Sequence, residues 1–173
     1  MFKSKKNIII IAIVVAVLAI IGAVTSDKKT PETTEKETAK TEIEIQATTL
    51  DELYKEMCEA VKDTKPKTSA RVDAIASFAE EAATWHPTAG NKDIGNEAAA
   101  LIIDNYPNYF ESDALMEKLM LCGYYLENSY FGKDVADCGH DVVQAVKGVY
   151  RGAETPDSDS VKANLEQIAE LIK

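Results

Sequence analysis

The sequence predicts an all-α fold: a compact bundle of five or six helices, carried on an N-terminal transmembrane helix and a flexible tether. Two observations support this prediction. Residues 8–24 form an unbroken apolar run, "IIIIAIVVAVLAIIGAV". From residue 49 to residue 173 the apolar positions recur every three or four residues, and no alternating run predicts a strand. These 125 residues are enough to enclose one hydrophobic core.

Three lysines lie before the apolar run and make residues 1–7 a basic tail. As a helix, the run would span about 25 Å, the short end of what crosses a bilayer, and Thr25 extends it. We therefore predict a signal-anchor helix over residues 8–25, in contact with the lipid bilayer. A secretory signal has the same order of basic and apolar segments, so cleavage near Thr25 or Ser26 is the alternative.

Residues 26–48 are rich in Thr, Glu and Lys and contain no aromatic residue. This composition buries too little apolar surface to offset the entropy of ordering, so we predict a disordered tether. The basic tail favours a cytoplasmic N-terminus and an extracytoplasmic domain in a single-pass cell-membrane protein, although lysines in the tether oppose this orientation. Cleavage would instead give a secreted domain.

The first two helices of the acidic domain, residues 49–173, follow from a cap and from apolar spacing. Thr49 and Glu52 in "TLDE" fit a capping box, and an apolar stripe follows in the next ten residues. "TKPKT" ends this helix. A second helix is predicted over residues 69–85, and its small residues allow a close-packed neighbour.

Two more helices flank Pro107. The third is capped by Asn91 and ends at "YPN", because the residue before a proline disfavours helical geometry. The fourth helix, residues 112–130, contains "ALMEKLMLCGYYL" and is apolar on nearly every side. It is therefore predicted to be the central, most buried helix.

Gly132 turns the chain into a fifth helix over residues 133–150, and "GAETPDS" separates it from a sixth over residues 158–172. Pairs of predicted helices begin at intervals of 43 and 41 residues. A regular interval is typical of helical repeats, so a short α-solenoid of helical hairpins is the alternative architecture.

Charge and motif content narrow the function. Residues 50–173 hold twelve Lys and Arg against twenty-three Asp and Glu, a net charge of −11, which contrasts with +1 for the residues before them. An acidic surface repels phosphate backbones, so nucleic-acid binding is not expected. The chain has no phosphate loop, nucleophile elbow or dinucleotide fingerprint. We predict neither an enzyme activity nor a cofactor.

The stretch "DVADCGHDVV" holds the residue types of metal and thiol sites. On a helix, however, Cys138 and His140 lie about 200° apart. Cys138 joins the apolar stripe, whereas His140 shares a polar face with Asp137 and Asp141. The sequence therefore predicts no metal site here.

Cys122 and Cys138 lie on two helices joined by a short turn, at similar distances from it. In an exported domain a disulfide between them is chemically allowed. Two buried thiols are the alternative, and Cys58 has no obvious partner in either case.

Aromatic residues concentrate at two helix ends, in "TWHP" and "NYPNYF". Such residues either close the ends of the bundle or form a stacking surface for a sugar or a protein. The candidate binding residues are Trp85, His86, Tyr106 and Tyr109.

These observations predict a non-catalytic, membrane-tethered extracytoplasmic domain that binds a protein partner at the cell envelope. One alternative is a sensor of a small molecule or a cell-wall glycan that uses the loop aromatics. A further alternative is an envelope hydrolase with two catalytic carboxylates, as in glycosidases.

Overall fold

A computed structural model of the protein describes residues 45–85 and 89–173, and these residues form α-helices and no strands. The prediction of an all-α domain is confirmed. The six helices of this part of the chain are α1 (Leu50–Ala60), α2 (Ser69–Trp85), α3 (Ala89–Asn105), α4 (Asp113–Glu127), α5 (Lys133–Tyr150) and α6 (Asp159–Leu171).

Helix α4 is the centre of the bundle, as its apolar sequence predicts. It packs against α2, α3 and α5, while α6 packs on α5 and α1 lies against α2 and α3. Leu119, Met120 and Leu121 are all fully buried, which requires neighbours on several sides of α4. Three of the other helices thus contact α4 directly, and the six helices of the described residues form a compact bundle.

Glycines bring α4 and α5 into backbone contact. A Cβ atom built on Gly139 would lie 2.5 Å from the carbonyl oxygen of Gly123, and one built on Gly123 would lie 2.7 Å from that of Gly139. Real Cβ atoms do not approach an oxygen so closely, so any larger residue would push the two helices apart. Glycine is costly inside a helix, and close packing offsets that cost here.

The helix ends agree with the predicted caps, with small shifts. The hydroxyl of Thr49 accepts from the backbone N–H of Glu52 at 3.3 Å, but the Glu52 carboxylate accepts from the N–H of Thr48, one residue before the cap. Helix α3 begins at Ala89, two residues before the predicted cap. Helix α4 ends at Glu127 instead of residue 130, because the chain turns there into the α4–α5 loop.

The packed domain begins earlier than residue 49, which corrects the predicted end of the tether. Ile45 and Ala47 are 3% exposed, and the N–H of Gln46 donates to the carboxylate of Glu56 on α1. The predicted basic tail and signal-anchor helix, together with the rest of the tether, lie outside the described residues. Within the described part, no helix is both long and apolar enough to cross a bilayer.

Candidate functional site

A buried ion pair joins α2 to α4. The guanidinium group of Arg71 donates two hydrogen bonds to the carboxylate of Glu117, from Nε to Oε1 at 2.9 Å and from Nη2 to Oε2 at 3.0 Å. Arg71 is 8% exposed and Glu117 is 7% exposed. Glu117 raises the pKa of Arg71 further above its ordinary value, chiefly through this hydrogen bond. Arg71 therefore remains charged inside the core.

Tyr150, at the end of α5, completes what we call the polar cluster: Arg71, Glu117 and Tyr150. Its hydroxyl donates to Oε1 of Glu117, and burial, followed by this hydrogen bond, raises the pKa of Tyr150. Nη1 of Arg71 donates to the carbonyl oxygen of Val61, just after α1. The cluster thus links four helices through internal partners, which favours a structural role over substrate binding.

The predicted aromatic surface is divided by the fold. Tyr109 is fully buried, and its hydroxyl donates to a backbone carbonyl of α3 at 3.0 Å. Tyr106 is half-buried, donates to a carbonyl of α6 at 3.2 Å, and meets Tyr109 edge-on with 6.0 Å between ring centroids. These two rings close one end of the bundle. The side chain of Trp85 and all of His86 lie outside the described residues.

The three cysteines are free thiols in this structure. Cys122 is completely buried in α4, and burial raises its pKa to about 12. Cys138 is half-buried on α5, and burial, assisted by the charge of Asp141, raises its pKa to about 11. Both thiols are protonated at neutral pH, which makes them poor nucleophiles.

His140 lies on the side of α5 opposite to Cys138 and is exposed, as the helical spacing predicts. Nδ1 of His140 lies 2.9 Å from Oε1 of Glu127 on α4, and half of the His140 side chain is exposed. A shallow depression on the surface is bordered by His140, Asp137 and Asp141. Among the described residues, no three His, Cys, Asp or Glu side chains are grouped to hold a metal ion.

An open apolar groove lies between α3, α5 and α6. We call it the α3–α5–α6 groove, and it has a volume of roughly 170 Å³. Two of its residues are unusually exposed for their size: Ile103 at 49% and Leu171 at 40%. The main apolar side chains that line it are Ala99, Ile102, Ile103, Val135, Cys138 and Leu171.

Carboxylates border this groove on the side of α5 and α6. Asp134 lines the groove itself, and Leu171 also lines the adjoining depression, which contains Asp137, Asp141 and Glu170. We call these four carboxylates the acidic rim. Asp137 pairs with Lys133, but the described residues provide no ion pair for the other three. Burial raises the pKa of Asp141, and the charge of Asp137 adds to this shift against the opposing effect of His140.

Sequence reasoning did not identify the polar cluster or the groove. Glu117 lies beside Lys118 in the middle of a mostly apolar helix, and this was a signal for a buried partner. Ile103 and Leu171 each lie next to a residue of the apolar stripe, so the stripe is wider than the core requires. Neither signal predicts which helix the residue contacts.

Comparisons with known proteins add no functional assignment. No protein-family model matches the chain, and no curated protein or solved structure shows significant similarity to it. The function is therefore inferred from the residues and their arrangement alone.

Proposed function

We propose that the protein is a non-catalytic helical domain, tethered to the cell membrane, that binds a protein partner at the outer face of that membrane. The observation that supports this proposal best is the α3–α5–α6 groove. Ile103 and Leu171 are apolar side chains that remain 49% and 40% exposed beside this open groove. Exposed apolar surface that is rimmed by polar residues is typical of protein interaction sites.

The membrane part of the proposal rests on the sequence. A basic tail, a run of seventeen apolar residues and a polar segment without aromatics are arranged in that order before the packed domain. Such an arrangement holds a domain close to a bilayer surface, within reach of partners there. As a flexible coil, the polar segment has a mean reach of about 25–30 Å.

The two alternatives have weaker support. A sensor would stack its ligand on the loop aromatics, but Tyr109 is buried in the core and is not accessible to a ligand. The hydroxyl of Tyr106 donates to a backbone carbonyl. A hydrolase that uses paired carboxylates needs one of them in a raised-pKa, substrate-facing position. Glu117 accepts hydrogen bonds from Arg71 and Tyr150 in the core. Asp141, whose pKa is raised by burial and which borders an open depression with Asp137 and Glu170, is the described carboxylate nearest to this requirement.

Site-specific photo-crosslinking in intact producing cells tests the proposal. A photoreactive residue replaces Ile103 in the full-length chain, and a matched chain carries it in place of Asp63, which is exposed and outside the groove. We expect one recurring crosslinked protein from the first position and none from the second. Leu171→Ser in the first chain should reduce the yield of that crosslink.

Protease treatment of the same intact cells gives the topology. Cleavage of the domain from outside supports export, and complete protection contradicts it. An exported domain that gives no crosslink from the position of Ile103, or gives the same crosslinks from both positions, contradicts partner binding at the groove.

A further inference from the structure

We propose that the α3–α5–α6 groove and the acidic rim together bind a cationic amphipathic helix of the partner protein. This inference rests on the proposed function and specifies the chemistry of the partner. The apolar face of that helix enters the groove, and its Lys or Arg residues lie against the carboxylates. Helix-in-groove docking of this kind is a common mode of peptide recognition.

The size of the groove sets the apolar part of the contact. A cavity of about 150 Å³ accommodates a benzene ring, so the roughly 170 Å³ here has room for one Leu, Ile or Phe side chain. Ile103 and Leu171, on α3 and α6, are both partly exposed at this groove and would flank such an anchor. A single anchor that fills the groove and covers both residues removes their apolar surface from water.

The apolar surface extends beyond the groove along α3. The ring of Phe131 lies on Gly95, where a Cβ atom would be 2.3 Å from the ring, and Phe131 remains 38% exposed. Gly95 is one helical turn before Ala99, which lines the groove. A second apolar residue, one turn from the anchor on the partner helix, therefore has a surface to contact.

The acidic rim sets the charge of the partner. Leu171 lines both the groove and the acidic depression, so a helix anchored beside Leu171 places its next polar residues over Asp137, Asp141 or Glu170. Three of the four rim carboxylates have no ion pair among the described residues. Lys and Arg side chains can reach them while their apolar stems cover the groove edge.

The same charges disfavour the other occupants of an apolar groove. An anionic lipid surface would bring phosphate or carboxylate groups against the acidic rim. A symmetric dimer that buries the groove would place each acidic rim near its own copy, on a chain whose net charge is already −10. Like charges meet in both cases, whereas a cationic helix neutralises the rim.

The test uses the full chain in nanodiscs of zwitterionic phosphatidylcholine and a fluorescent peptide of about 18 residues, long enough to be helical. Leu residues form one stripe of the peptide and Lys residues occupy the other positions. Two control peptides are matched to this probe. In the first, Glu replaces every Lys, and in the second, the same Leu and Lys residues are rearranged so that the Leu residues no longer form a stripe. Fluorescence anisotropy, with empty nanodiscs as the blank, measures Kd at low and at physiological salt.

We expect the Leu/Lys probe alone to bind, with a Kd that rises with salt. Ile103→Ser and Leu171→Ser should each weaken binding by about fivefold to tenfold. The control Tyr130→Ser, at a residue that is 88% exposed and outside the groove, should leave Kd unchanged. Circular dichroism checks that the variants remain folded.

A charge-matched pair of double variants tests the acidic rim. Asp141→Asn with Glu170→Gln should weaken binding and flatten its salt dependence, because rim charges attract the probe. Asp63→Asn with Glu81→Gln changes the net charge equally, at exposed positions outside the groove and rim, and should do neither.

The proposal is overturned if the Leu/Lys probe does not bind, if the Glu probe binds as well, or if both double variants act alike. The proposal is also overturned if the Leu/Lys probe binds empty nanodiscs as strongly as it binds nanodiscs that contain the protein. A crosslinked partner at the position of Ile103 without peptide binding would preserve the proposed function and reject only the cationic helix. If neither the crosslinked partner nor peptide binding is observed, the proposed function is rejected as well.

Discussion

The polar cluster and the α3–α5–α6 groove place opposite kinds of groups in unexpected environments. The polar cluster keeps Arg71 and Glu117 in the core, where each charge has a close partner. The groove keeps Ile103 and Leu171 in water beside the acidic rim, in which three of the four carboxylates have no ion pair among the described residues. A satisfied buried charge stabilises one packing arrangement, whereas an unsatisfied exposed surface is available for binding. The comparison predicts that substitutions in the two regions affect different measurements.

The largest effect is expected from breaking the buried ion pair. Arg71→Met or Glu117→Gln leaves one member of the pair without its partner, and we expect a loss of about 3–5 kcal/mol in the free energy of unfolding. Tyr150→Phe keeps the pair but removes one hydrogen bond to a charged group, which costs about 1.5–3 kcal/mol. Urea denaturation followed by circular dichroism measures each loss.

The double variant Arg71→Met with Glu117→Gln removes both charges together. Because no unpaired charge remains, its loss should be smaller than the sum of the two single losses. Strictly additive losses, or single variants as stable as the parent, would contradict the structural role of the polar cluster.

A smaller, pH-dependent effect on stability is expected from the thiols of Cys122, which is buried, and Cys138, which is half-buried. Their pKa values, about 12 for Cys122 and about 11 for Cys138, are raised from 9.0, so the folded state retains protons that the unfolded state releases. The stabilisation is therefore complete below pH 9 and is lost as the pH rises toward the folded pKa. At pH 10 the Cys122 thiol should reduce the free energy of unfolding by about 1.4 kcal/mol, and the Cys138 thiol should reduce it by less, because Cys138 is partly exposed and solvent screens its shift.

Urea titrations at pH 8 and pH 10 measure this loss. Cys122→Ala and Cys138→Ala should each remove one thiol's share of the pH dependence, whatever their effect at pH 8. A variant with the same pH dependence as the parent would show that its thiol does not contribute. Maleimide should also label Cys138, at the groove, faster than Cys122, in the core.

The smallest effect on stability is expected at the groove. Ile103→Ser removes an apolar side chain that is 49% exposed, so little burial is lost on folding. We expect a change in the free energy of unfolding below about 1 kcal/mol, since surface substitutions are usually tolerated. Val142→Ala, at a fully buried position of α5, is the control and should cost more. Equal losses at the two positions would place Ile103 in the core and weaken the comparison.

Local sequence patterns were enough to predict the positions of most of the helices. The predicted ranges of α2 and α5 agree with the observed bounds at both ends. Thr49 and Ser112 cap α1 and α4, because their hydroxyls satisfy backbone N–H groups within three residues. Ile45 and Ala47 pack in the core before the predicted start of the domain at residue 49, and Ile43, Ile45 and Ala47 alternate in "EIEIQA". That alternation was a sign that the chain near residue 45 packs against something.

Contacts between distant residues required the tertiary structure. Arg71 and Glu117 are 46 positions apart, and nothing in either helix indicates that their side chains meet. The groove combines residues from α3, α5 and α6, so it exists only once those helices are packed. The burial of Tyr109 was decided in the same way, by its packing against α3 and Tyr106 rather than by the loop sequence.

The sequence by itself determined the helices, their apolar faces, the central place of α4 and the opposite faces of Cys138 and His140. Those features depend on groups within a few residues of each other, because caps and helical periodicity are local. Only the tertiary structure decided which charges are paired in the core and which apolar residues remain in water. Which side chains meet in the core depends on the packing of whole helices. The backbone contact between α4 and α5 at their glycines shows how close that packing is.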